Sequence, residues 1–122
     1  MARRALVVDD SYTMRNMVSL ALKEADFDVV LAEDGEDALR VIGDQPFQIV
    51  ITDINMPKKD GIQLIRELRA LPAFKYIPIL VLTTEGGDDK KKDGKAAGAT
   101  GWIVKPFNPE TLMGAVNKVC PA

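Results

Sequence analysis

Five short apolar runs, each separated from the next by helical periodicity, restrict this chain more than any other feature. The runs are "RALVV" (4–8), "DVVLA" (28–32), "QIVIT" (48–52), "PILVL" (78–82) and "GWIV" (101–104). They are rich in Val and Ile, and most are continuous rather than alternating. Strands of a parallel sheet covered on both faces read this way. Between them, Met14, Met17, Val18, Ala21, Leu22 and Ala25 recur at i, i+3, i+4 and i+7 and predict a strongly amphipathic helix with both methionines in the core. Ala38, Leu39 and Ile42 mark a shorter helix. Another runs from Gly61 to Leu71, with Ile62, Ile65 and Leu68 on one face and Pro72 closing it. Pro109 suits the first turn of a last helix, with Leu112, Val116 and Val119 along one side.

The fourth helix is the weak one. "EGGDDKKKDGKAAGA" (85–99) carries no large apolar residue. Asp88 and Asp89 precede Lys90, Lys91 and Lys92, the order a helix dipole favours, and Asp88 can pair with Lys92 at i, i+4. These features predict a marginal helix with a mobile entry at Gly86–Gly87. Strand and helix alternate throughout, without repeat, linker or low-complexity tract. The order is (βα)₅, an α/β fold with right-handed crossovers and a doubly wound parallel sheet carrying helices on both faces.

At 122 residues there is room for one core, so a single domain spanning 1–122 is expected, with no output domain. A net charge of −2 and the lack of a basic patch argue against a nucleic-acid partner. One cysteine, Cys120, cannot close an internal disulfide, which fits a reducing compartment. Asp9 cuts the first apolar run too short for a signal peptide, and no run approaches the ~20 residues of a membrane span. A soluble cytoplasmic protein is expected. The chain has no histidine. His-based triads, His zinc sites and an internal phosphohistidine are thereby excluded.

Chemistry-bearing residues follow the apolar runs. The first ends in Asp9–Asp10, the third in Asp53, the fourth in Thr83 and the fifth in Lys105. In a doubly wound sheet these carboxyl ends share one rim, where ligands bind. Two adjacent carboxylates repel by roughly 4 kcal/mol at ~4 Å and an effective dielectric of ~20. A cation or a proton must compensate them. Mg²⁺ is the natural counter-charge: it prefers oxygen ligands, uses one or two carboxylates, keeps waters and often shares a phosphate. Lys105 adds a point charge and Thr83 a hydroxyl donor. Together they describe a phosphoryl-transfer site, in which positioning and charge neutralisation do most of the work. Taken singly, each residue has an ordinary explanation as a helix cap, loop acid or solvated lysine. Glu33 and Asp34 read as a solvated turn before Gly35, and Asp60–Gly61 as a turn or helix start.

The motifs "VVDD", "TDINMPKKDG", "LTTE" and "GATGWIVKPFNP" resemble those of response-regulator receiver domains, in this order, from about residue 4 to 119. Within that family the chain is most similar to single-domain chemotaxis regulators. The resemblance implies a flavodoxin-like fold with strand order 2-1-3-4-5. It implies that Asp53 accepts a phosphoryl group from a phosphohistidine on a partner histidine kinase. Asp10, Asp53 and the backbone carbonyl of Asn55 would bind Mg²⁺ directly, with Asp9 acting through a metal-bound water. Lys105 and Thr83 would contact the phosphoryl group, and Lys105–Pro106 would be cis. Trp102, where Tyr or Phe is more usual, would reorient with Thr83. Asn55 and Glu85 would modulate hydrolysis.

The implied output is altered affinity of the helix 4–strand 5–helix 5 face for a flagellar motor switch protein or another target, with a phosphatase as a further partner and the protein itself monomeric. Helix 4 departs from this pattern by offering charge where apolar grip is usual. The rival readings are a stand-alone carrier that passes its phosphoryl group to a histidine phosphotransfer protein, and a Mg²⁺-dependent phosphatase. The latter usually has a second acid two residues after its nucleophile, where this chain has Asn55. A flavin-binding protein would need a phosphate loop where Asp9–Asp10 repel one.

Overall fold

The computed structural model describes residues 3–84 and 86–120. Its elements are β1 (Arg3–Val8), α1 (Tyr12–Glu24), β2 (Phe27–Ala32), α2 (Gly35–Val41), β3 (Ile49–Thr52), α3 (Gly61–Arg69), a 3₁₀ turn (Pro72–Phe74), β4 (Ile79–Thr83), α4 (Asp88–Ala97), β5 (Gly101–Val104) and α5 (Pro109–Val119). The five strands are parallel in the order β2-β1-β3-β4-β5, as expected.

Alternation along each strand divides the core into two layers. Leu6, Val8, Val50, Ile79 and Val81 point to one face and meet Ala38 of α2 and Ile42 just after it, Ile65 and Leu68 of α3, and Ala97 of α4. Ala5, Val7, Ile49, Ile51, Leu80 and Leu82 point to the other and meet Val18 and Leu22 of α1 with Leu112 and Val116 of α5. Each fully buried Leu or Ile contributes about 1.5–3 kcal/mol. Central strands β3 and β4 are buried throughout, as their unbroken apolar runs predict. The edge strands are not: β2 is buried only at its two ends, and β5 is half-buried along its length until the exposed Val104. An edge strand lacks a neighbour on one side, which its own composition does not reveal.

Two local expectations are corrected. On α1 the inward face is Val18, Ser19 and Leu22, while Met14 and Met17 are only half-buried. Asp34 is not part of a solvated turn. It is buried, and its Oδ1 caps α2 by accepting from Asp37 N at 2.8 Å. A capping carboxylate sits over the positive end of the helix, so burial suits it. β4 begins and ends one residue later than its apolar run and, as expected, ends at Thr83.

The weak fourth helix is present, though its hold on the core is slight. Only Gly94 and Ala97 are buried, and Gly87 caps its start without a side-chain bond. Its end is held from outside. Gly98, at φ +118, occupies the left-handed C-cap that glycine favours. There the Arg69 guanidinium donates from Nε and Nη2 to Gly98 O, at 3.1 and 2.7 Å. The same group donates from Nη1 to Phe74 O at 2.8 Å and Ile77 O at 2.6 Å. One arginine thus ties the ends of α3 and α4 to the segment entering β4. Burial lowers its pKa from the usual guanidinium value.

Candidate phosphoryl-transfer site

The sheet ladders run one residue past the strands, and this carries the site residues to a common rim. Asp9 N donates to Ala32 O at 3.1 Å, Asp53 N to Val8 O at 2.9 Å, and Lys105 N to Thr83 O at 2.8 Å. β1 lies between β2 and β3, so Asp9 and Asp53 leave adjacent strands side by side. Lys105 reaches back from the far side of β4, followed by a cis bond to Pro106.

The lysine bridges both acids. Its Nζ donates to Asp9 Oδ2 at 2.8 Å and to Asp53 Oδ2 at 3.1 Å. The other oxygens are held by backbone: Ser11 N donates to Asp9 Oδ1 at 2.9 Å, and Ile54 N to Asp53 Oδ1 at 2.6 Å. Asp9 and Asp53 are buried, whereas Asp10 is exposed. One carboxylate oxygen from each of the three lies within 4.8 Å of the others. Burial pushes the Asp9 carboxyl above the ordinary range, against the lowering pull of Lys105. For Lys105 the balance is reversed. Burial pulls its pKa down, but the hydrogen bonds and charges of Asp9 and Asp53 outweigh that and leave it raised. The repulsion expected at the end of β1 is therefore met in part by an internal ammonium. Lys105 pairs with two of the three carboxylates of the pocket, which leaves a formal excess of two negative charges. That excess, on hard oxygen donors, fits a small divalent cation.

The remaining residues fall as follows. Thr83 ends β4 and is fully buried. Asn55 is exposed just past Asp53. Trp102, on β5, is half-buried and packs against the core layer beneath α3 and α4. Glu85 lies outside the described residues. Two supports escape a reading for chemistry. Arg15 of α1, its side chain mostly buried, donates from Nη1 to Asp9 O at 2.7 Å and fixes the peptide that joins Asp9 to Asp10. Its place on the polar side of an amphipathic helix gave no hint of this. Gly61 packs directly on Asp53, where a Cβ would lie 2.0 Å from Asp53 O. That signal was present, since Asp60–Gly61 marks a helix start and Asp60 caps α3 by accepting from Gln63 N at 2.8 Å.

The acid pocket and its bridging lysine thus lie at the carboxyl rim of a doubly wound sheet, where such folds bind their ligands. Residues 5–117 match the model of the response regulator receiver domain, and the chain belongs to that family. Family members are signalling switches, not conventional enzymes. Among relatives, Protein PilG of Pseudomonas aeruginosa is 36% identical over 119 residues, covering 98% of this chain and 88% of PilG. Chemotaxis protein CheY1 of Helicobacter pylori J99 is 40% identical over 111 residues, covering 89% and 90%. The solved chemotaxis response regulator CheY4 of Vibrio cholerae superposes with a TM-score of 0.92 at 44% identity, covering 98% of this chain and 99% of that one. Among the described residues, no helix is long and apolar enough to cross a membrane.

Proposed function

We propose that this receiver domain is a phosphorylation-activated switch of a two-component system acting in chemotaxis, with a flagellar motor switch protein as its target. The observation that carries the reading is the Lys105 bridge between Asp9 and Asp53 inside a three-carboxylate pocket. Asp53 is the acceptor. One of its carboxylate oxygens bonds to phosphorus as the P–N bond to a partner kinase's histidine breaks, and the imidazole leaves with the electron pair. Asp10, Asp53 and the Asn55 carbonyl hold Mg²⁺, with Asp9 beside them. When bound, the ion supplies positive charge to the phosphoryl oxygens. Lys105 supplies a second positive charge, already within reach of Asp53 Oδ2 at 3.1 Å. Thr83, at the end of the neighbouring strand, donates its hydroxyl to the phosphoryl group. Asn55 and Glu85, which follow Asp53 and Thr83 by two residues in the sequence, modulate entry of the hydrolytic water.

Phosphorylation adds nearly two negative charges and new acceptor oxygens. Thr83 and Lys105 respond to these, and the response reaches Trp102, α4 and the α4–β5–α5 face, changing its affinity for the target. The test is incubation with a small phosphodonor and Mg²⁺ followed by mass spectrometry. One labile adduct is expected, and much less of it without the metal. A metal-independent adduct, or none, overturns the reading.

Two further outcomes are expected. Trp102 fluorescence changes on phosphorylation with Mg²⁺ present; an unchanged spectrum beside a confirmed Asp53 adduct removes Trp102 from the response. Asp10→Lys folds, because the side chain is exposed, but puts an ammonium where a cation should bind. Mg²⁺ affinity measured by calorimetry should fall by about a hundredfold or more, or roughly 2.8 kcal/mol.

A further inference from the structure

α4 carries a glycine where a helix gains nothing from one. Gly94 lies inside α4 and is one of its two buried residues. Glycine is among the poorest residues for a helix interior, and this helix has little else to stabilise it. The reason lies on the neighbouring strand. A Cβ at position 94 would stand 2.5 Å from Trp102 Cζ3, 3.2 Å from Cε3 and 3.6 Å from Cη2. The six-membered ring of the indole occupies the space that any other residue would need.

Trp102 also lines two hollows. A hollow of about 280 Å³ opens between α4 and β5, beside Lys91, Lys95 and Ala99, and Trp102 forms part of its wall. A second, of about 510 Å³, is lined by Trp102 together with Phe107, Asn108 and Thr111. α4 itself is held unevenly. Its C-terminal end is fastened by Arg69 to Gly98, while its N-terminal end has no side-chain cap. We propose that Gly94 is the positioning residue that couples Trp102 to α4, a socket without which the indole could not lie beneath the helix. Ring and helix then shift together, with the helix pivoting about its fastened end at Gly98. The coupling rests on packing alone; its use in signalling rests on the phosphoacceptor reading above.

The test is a double-mutant cycle on the unphosphorylated protein, read by thermal unfolding. Gly94→Ala is expected to lower Tm by several degrees and to move Trp102 emission to longer wavelength as the ring is driven toward water. In a Trp102→Ala background the clash is gone and only helix propensity remains, so the same substitution should leave Tm unchanged or raise it. An equal loss of Tm in both backgrounds, or unmoved Trp102 emission in Gly94→Ala, overturns the coupling. Should Gly94→Ala fail to fold, recovery of folding in the double variant supports the proposal, and a double variant that stays unfolded while Trp102→Ala folds overturns it. No phosphodonor is used. A failed cycle therefore leaves the Asp53 reading standing, and an absent Asp53 adduct leaves the coupling standing.

Discussion

Asp53→Asn abolishes the phosphoryl adduct while the protein stays folded. An amide matches the carboxylate in shape, and its oxygen can still accept from Ile54 N, which stands 2.6 Å from Asp53 Oδ1. Lys105 loses one acceptor but keeps Asp9 Oδ2 at 2.8 Å. The change therefore removes the nucleophile and one negative charge without leaving a buried ammonium unpaired. Mass spectrometry after exposure to a small phosphodonor and Mg²⁺ should find the wild-type adduct and none in the variant, with near-coincident unfolding curves. An adduct of equal yield on the variant would assign the acceptor to another residue. Asp10, exposed at the same pocket, would be the first to examine.

Gly61→Ala is expected to be the most damaging small substitution in the chain. The atoms a Cβ would meet are all backbone: Asp53 O at 2.0 Å, Asp53 C at 2.9 Å and Ile54 Cα at 2.9 Å. No rotamer change relieves that. Either the start of α3 moves or the peptide after Asp53 does, and Thr52 Oγ1 already holds the Asp53 carbonyl at 2.8 Å. Overpacking against rigid atoms costs about 3 kcal/mol. Chemical denaturation should show that loss, together with slower phosphorylation at Asp53. Gly114→Ala in α5 is the matched control, because nothing lies within 4 Å of a Cβ there. The same substitution should stabilise that helix by about 0.5–1 kcal/mol. Equal effects at both positions would mean that Gly61 does not support the site.

The rim chemistry was legible because a parallel sheet makes it so. An unbroken apolar run that stops at a charge marks both a strand and its carboxyl end, which is how Asp9, Asp53 and Lys105 could be gathered before any coordinates. What stayed hidden depended on partners distant in sequence. Lys105 pairs with Asp9 across 96 positions, so the internal answer to the carboxylate repulsion could not be read from "VVDD". The exposure of β2 and β5 follows from strand order, which their composition does not encode. The cap pattern of Asp34 is visible in the sequence, with Asp37 three residues on as the first-turn donor, but its burial is set by packing that the local sequence does not display. α4 looked marginal because its anchors, Arg69 and Trp102, belong to other elements.

The Arg69 clasp has a consequence for how such a surface can evolve. On the α4 side the guanidinium grips a main-chain oxygen, that of Gly98, and every amino acid possesses one. The outward residues Lys90, Lys91, Lys92 and Asp93 have no part in that grip. Mutational drift can therefore rewrite this exterior to suit a new binding companion while the attachment of the helix to the body stays constant.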